Sequence, residues 1–435
     1  MERFNTQPAA APASRSLQAQ YAAARHTTVA LAAPLDEAIC QVQSMPDASP
    51  AKWHLAHLAW FFETFVLERY EPRFAPFDSA FRVLFNSYYQ GVGERHPRAQ
   101  RGSITKPTLA EVLHYRAQVD DRMLEVIDAH PHDATLRALV TLGLHHEQQH
   151  QELLLTDIKH ALSLQPGQAP YASRWPLTTV QPNPLRWFGF GGGLIEHGFD
   201  AALDGPFCFD NETPRHRAFA APFELASRPA TCGEFLGFIE DAGYQRPELW
   251  LAAGWDWVQA GGHGTPRRAP LYWQQADGRW LAHTLQGQID IDPRTPVCHL
   301  SYFEADAFAR WAGARLPTEV EWELAARSVP QPMQANFADR RAFHPLPAEG
   351  SASAPLQLFG DVWEWTQSSY GAYPGYRPPP GAVGEYNGKF MCGPYVLRGS
   401  SCATPSGHSR ASYRNFFHPH LRWQFTGLRL AEDRS

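Results

Sequence analysis

His145-His146-Glu147-Gln148-Gln149-His150-Gln151-Glu152 lies inside an uninterrupted helical run from about Ala134 to Leu164. Imidazoles four residues apart on a helix stand one turn above each other, so His146 and His150 can grip a single metal ion. The same letters spell two chemistries. His-Glu-x-x-His is the zinc metalloprotease signature, with Glu147 as general base, whereas His-x-x-x-His-x-Glu implies another metal and another reaction. The residues that face the pair decide between them.

A tight transition-metal site needs at least three protein ligands. Downstream, the metzincin continuation fails, because Leu153 stands where glycine is required and Thr156 where histidine is required. His160 lies further along the same helix, about 15 Å from His150 and out of coordination reach. Upstream, Trp53-His54-Leu55-Ala56-His57-Leu58-Ala59-Trp60 offers two histidines, of which His57 sits among Leu58, Phe61 and Phe65. His57 is therefore the expected third ligand. Three histidines leave up to three positions open on an octahedral metal, which suits iron(II), a thiolate, an imidazole and dioxygen. Glu152, about 200° around the helix from His150, falls outside the coordination sphere. Gln149 can offer its amide to a polar substrate.

The first third reads as a helical bundle. Leu17 to Ala33 is Ala-rich, Ser49-Pro50 offers a cap and a first-turn proline before Ala51 to Tyr70, and Thr108 to His130 and His132 to Leu164 follow. Four such helices predict an antiparallel bundle over residues 1–165 that carries the metal in its interior. Six prolines and glycines between Gln165 and Arg186 predict a linker over 166–186. From Trp187 to Ser435 short apolar stretches alternate with turn residues, and only Cys232 to Ala242, Tyr302 to Ala312 and Glu319 to Arg327 look helical. The expected fold class is thus an α bundle followed by a loop-rich α+β domain. Gly189-Phe190-Gly191-Gly192-Gly193 lacks the spacing and the lysine of a phosphate loop and reads as a turn opening that domain.

With 435 residues, 44% of them apolar, the chain can bury two cores. A net charge of -6 without long like-charge runs excludes nucleic acid and anionic membrane as obvious partners, leaving small-molecule substrates. The N-terminus has no apolar leader region, no 18-residue apolar segment follows, and six cysteines are scattered without a C-x-x-C pair. A cytoplasmic location is expected. Cys392 and Cys402, close in sequence, are the pair to check for a disulfide or a reactive thiol.

Several motifs in order carry a family resemblance. Trp53-His54-Leu55-Ala56-His57 with His146-x-x-x-His150-x-Glu152 resembles the DinB-like iron domain of the ergothioneine-type sulfoxide synthases. Thr295-Pro296-Val297-Cys298-His299, Arg315-Leu316-Pro317-Thr318-Glu319, Gly360-Asp361-Val362-Trp363-Glu364-Trp365 and Leu397-Arg398-Gly399-Ser400-Ser401 resemble the C-type-lectin-like fold of the formylglycine-generating enzymes. The resemblance implies an oxidoreductase that uses Fe(II) and O2 to join a cysteine-type thiol to the imidazole C2 of hercynine, giving a sulfoxide. A selenoneine synthase of the same family, joining a selenosugar to hercynine, is the alternative reaction. A zinc hydrolase using Glu147 and a non-catalytic DinB-like binding module are more remote ones. The ovothiol branch, which acts on histidine, often carries an appended methyltransferase domain that the resemblance here does not include.

By the same resemblance His57, His146 and His150 are the iron ligands and Gln149 contacts hercynine. Tyr88 and Tyr89 match a tyrosine pair whose hydroxyl serves the oxygen chemistry, with Tyr89 favoured. A phenol is protonated at neutral pH and can give a proton there. Ser412-Tyr413-Arg414-Asn415-Phe416-Phe417 aligns with the substrate-binding loop, so Asn415 would meet the substrate carboxylate and Phe416 or Phe417 its quaternary cation. The actinobacterial branch has tryptophan and aspartate after that asparagine; their absence argues against γ-glutamylcysteine as donor. Arg82, Arg414 and Arg422 are candidates to clamp the donor's carboxylate.

Overall fold

The computed structural model describes residues 16–165, 167, 170–173, 184–262, 265–329, 335–350 and 353–434. Most of the expected linker, and residues 1–15, lie outside the described residues.

Helix α1 spans Leu17–Ala32, started by Ser16, whose hydroxyl accepts from the Ala19 amide. Helix α2, Ala51–Phe62, is buried at every residue, as an apolar-all-round helix at the centre of a bundle must be. It continues through a π turn at Glu63–Leu67 into Glu68–Tyr70. Its N-cap is Pro50 and not Ser49, because Ser49 is spent elsewhere: its amide donates to Asp157 and its hydroxyl accepts from Arg101. Helix α3, Leu109–Ala129, begins with a Thr108/Glu111 capping box, and α4, Ala134–Ser163, with Asp133 accepting from the Thr135 and Leu136 amides.

Helix α2 packs against α3 and α4, and α1 against α4. At Gly143 the close approach is steric: a Cβ there would lie 2.5 Å from the Phe62 ring. Glu147 locks three of the helices together. It is fully buried, and its carboxylate accepts from Arg25 and Thr28 of α1 and from Arg116 of α3 at 3.0, 2.6 and 3.1 Å. Burial alone would raise its carboxyl; the two guanidiniums and the hydroxyl reverse that and hold it below the usual range.

The second half is β-rich. Strands β1 (Trp187–Phe190), β4 (Phe223–Ala226) and β12 (Ala431–Asp433) form one sheet, and β2 (Gly193–His197) pairs with β3 (His216–Ala220). Strands β5 (Trp273–Ala276), β6 (Arg279–Thr284) and β7 (Gly287–Asp290) form a meander. The central sheet runs β10-β9-β8-β11, from Asn415–Phe417, Tyr395–Arg398, Trp363–Ser369 and Thr426–Gly427. Helices Cys232–Glu240, Tyr302–Trp311 and Glu319–Arg327 each start with a capping box. Gly191 and Gly192 serve only to turn β1 into β2. All six cysteines are free, with Cys392 exposed and Cys402 buried, so the expected pair to check is not bonded.

The halves meet along α4. Glu152 accepts from Trp363 and Ser401, Asp157 from Trp423, and the Lys159 ammonium lies 2.6 Å from His299 Nε2. Among the described residues no helix is long and apolar enough to cross a membrane.

Candidate metal centre and its two cavities

His57 of α2 and His146 and His150 of α4 converge so that one ring nitrogen of each lies within 4.8 Å of the others. The His57 ring is oriented by its own backbone environment: Nδ1 sits 2.6 Å from the Phe85 carbonyl oxygen, which can only accept, so Nδ1 carries the proton. Its bare Nε2 is buried without a partner among the described residues. An orphaned buried acceptor facing two further imidazoles is a donor set that fits a metal ion. Burial, reinforced by their mutual proximity, pushes His57 and His150 well below the usual imidazole range, and burial holds His146 at about 4. Neutral imidazoles keep their lone pairs for a metal.

Glu147, expected as general base in the hydrolase reading, is taken up by Arg25, Arg116 and Thr28 in the bundle core. Glu152 is likewise not among the converging ligand atoms; it lines the first cavity and accepts from Trp363 and Ser401 of the second domain.

Two cavities flank the triad, one at His150 and one at His146, and share Gln149 and Tyr386 in their walls. The first, of about 280 Å³, is lined by His150, Gln149, Tyr88, Arg98, Arg101, Tyr386, Phe390, Tyr413, Asn415, Phe416 and Phe417. The second, of about 890 Å³, reaches His146, Gln149, Tyr89, Phe61, Phe207, Phe209 and Tyr386. The adjacent tyrosines therefore face different spaces. Tyr88 accepts from Arg98 at the first cavity. Tyr89 is almost fully buried beside Trp60 and Phe65, and burial pushes its phenol up, which keeps it protonated.

Gln149 stands between the cavities, its amide nitrogen 3.0 Å from the Tyr413 hydroxyl, which in turn lies 3.1 Å from His408 Nε2. Asn415 is on β10 with its carbonyl accepting from the Phe416 amide, and Phe416 stacks on Tyr370 with centroids 4.0 Å apart. Phe417 packs edge-on against Trp423.

The three expected donor clamps are committed elsewhere. Arg82 pairs with Glu68 on the open surface of the bundle, and Arg422 pairs with Glu304 over Trp257. Arg414 reaches the first cavity, but its buried guanidinium is shared between Glu319 and the carbonyls of Asn211 and Gly371. The cations facing the cavity are Arg98 and Arg101, one turn apart in the 3-10 segment Arg98–Ser103. Arg101 stacks on Trp53 at 3.4 Å and donates to Ser49, with no ion pair among the described residues; burial pushes its guanidinium down. Its spacing from Arg98 was the available clue in the sequence. His54, Tyr386 and Tyr413 also line the cavity; Tyr413 lies in the segment that resembled a substrate-binding loop and His54 beside the third histidine, whereas no sequence signal marked Tyr386.

Comparison with known proteins agrees with the two-part architecture. The DinB superfamily matches residues 20–154 and the sulfatase-modifying factor enzyme 1-like domain matches residues 189–434. The chain is 34% identical to the hercynine oxygenase of Mycolicibacterium thermoresistibile, over 98% of this chain and 96% of that protein. It is 34% identical to the hercynine oxygenase of Mycobacterium tuberculosis, over 96% of this chain and 98% of that protein. Ergothioneine biosynthesis protein 1 of Schizosaccharomyces pombe matches at 27% over 52% of this chain and 28% of its own length. A metal-type histidine triad in a DinB bundle, closed by a sulfatase-modifying-factor-like domain and similar over nearly its whole length to those enzymes, places this chain in the hercynine oxygenase family.

Proposed function

We propose that this chain is a nonheme Fe(II)- and O2-dependent sulfoxide synthase that forms a C-S bond between a cysteine-type thiol and the imidazole C2 of hercynine. The observation that carries the reading is the orphaned Nε2 of His57 facing His146 and His150, which line one cavity each. Iron(II) held by these three imidazoles supplies open positions for substrates and for the activation of dioxygen.

The chain's own residues do the rest. Gln149, steadied by Tyr413, is placed to hydrogen-bond an imidazole substrate beside the metal. Tyr386, Phe390, Phe416 and Phe417 offer aromatic faces to a trimethylammonium group, which donates no hydrogen bond. Tyr89, kept protonated by burial, holds a proton on the His146 side. Arg101, a cation without an ion pair among the described residues, with Arg98 beside it, favours a carboxylate-bearing donor such as cysteine over a neutral selenosugar. Six free thiols suit a reducing compartment, the cytoplasm.

The test is anaerobic reconstitution with Fe(II), followed by mass spectrometry of the products when hercynine and O2 are supplied with cysteine, γ-glutamylcysteine or a selenosugar. Sulfoxide from cysteine supports the reading. Turnover only with the selenosugar replaces the donor, and peptide hydrolysis by a zinc-loaded protein sinks the whole assignment.

A further inference from the structure

His54 is one turn before His57 on α2 and, like Asp157 on α4, is buried against the first cavity without being a ligand. Asp157 is surrounded by donors. Its Oδ2 accepts from the Ser49 amide at 2.8 Å and lies 3.0 Å from His54 Nε2, while its Oδ1 accepts from the Trp423 indole at 3.0 Å. A carboxylate in that position only accepts, so His54 Nε2 carries a proton. With its Nε2 proton directed at Asp157, the His54 ring can offer Nδ1 as an acceptor to His150 Nδ1, 2.8 Å away. In that arrangement His150 Nδ1 is the donor across the contact. Nε2 of His150 then keeps its lone pair, in a ring of which one nitrogen lies within 4.8 Å of those of His57 and His146.

We propose that His54 is a positioning residue that, with Asp157, holds His150 in the tautomer and orientation of an Nε2 metal ligand. The donor from Trp423 extends this relay into the second domain, so docking of that domain tunes metal affinity in the bundle. The inference rests on the three-histidine metal reading. It gives His150 through side chains what the Phe85 carbonyl gives His57 through backbone. Outer partners of this kind orient a ligand and raise its basicity, and their loss typically costs roughly 10- to 100-fold in metal affinity.

The experiment is anaerobic titration of the full-length apoprotein with Co(II), read by its visible absorption, and with Fe(II), read by competition against a chelator. His54→Leu is expected to weaken both metals about 10- to 100-fold and to alter the cobalt spectrum. His54→Gln can accept from His150 and donate to Asp157, and is expected to retain most of the affinity. Trp423→Phe, which touches no ligand, is expected to weaken binding by a smaller factor. Wild-type affinity and spectrum in a folded His54→Leu protein overturn the proposal, as does equal loss in His54→Leu and His54→Gln, which would mark a packing role. If His54→Leu does not fold by circular dichroism, an unchanged cobalt constant in Trp423→Phe overturns the coupling. His57→Ala separates the two levels: if it binds cobalt like wild type, the triad reading itself fails and the relay with it.

Discussion

The Trp363 indole of the second domain donates to the Glu152 carboxylate at 2.6 Å, two residues beyond His150 on α4. Ser401 and Thr404 donate to the same carboxylate at 2.5 and 3.0 Å. The helix that carries two of the three histidines is thereby bolted to the domain that closes the cavity. Removing the carboxylate strands three buried donors, each costing about 1–3 kcal/mol when left unsatisfied. Glu152→Ala should therefore lower unfolding stability by several kcal/mol, with Glu152→Gln intermediate, measured by urea denaturation.

Metal retention should depend on pH in a stated direction. With His146 held at about 4 by burial, protons compete for the ligand only in acid. Iron should stay bound as pH falls from 7 to 5 and be released as it approaches about 4, followed by metal analysis after rapid desalting. Chelator treatment at neutral pH should abolish turnover, and added Fe(II) should restore it.

Glu147 tests the hydrolase alternative directly. Glu147→Gln keeps the shape but removes the charge that balances two buried guanidiniums, and breaking such a pair costs about 3–5 kcal/mol. The variant should melt lower yet retain Co(II) affinity and, below its melting temperature, most of its turnover. A general base replaced by an amide would instead lose activity by orders of magnitude without a matching stability change.

Tyr88 and Tyr89 should separate kinetically. Tyr89→Phe removes a protonated phenol on the His146 side and should lower kcat at least about tenfold, in line with the contribution of one proton donor, while hercynine binding is unchanged. Tyr88→Phe removes the acceptor of Arg98 and should act mainly on the KM of the thiol donor.

Arg101→Leu should raise the KM of a carboxylate-bearing donor without weakening Co(II) binding. Loss of a charge-assisted contact is worth about 1.5–3 kcal/mol, or roughly 10- to 100-fold. Arg82→Leu, whose partner is an exposed Glu68, should leave both unchanged.

What local sequence determined was the helices and the spacing of the histidine pair. The helix starts at Ser16, Thr108 and Asp133 and the spacing of His146 and His150 depend on residues within one or two turns, and a helix is rigid over that distance. Motifs in order likewise marked the second domain, and Glu319–Arg327 stands where its pattern put it. The arginines were another matter. Whether a guanidinium is free or spent depends on carboxylates far away along the chain, as when Glu319 takes up Arg414 from 95 residues away. Tyr88 and Tyr89 are adjacent in sequence but serve opposite cavities, and His54 gains its place only because α2 packs on α4 beside Asp157 and Trp423. Only the tertiary structure decided these, because hydrogen-bond direction and charge pairing are properties of contacts between distant segments, set by packing and invisible to spacing.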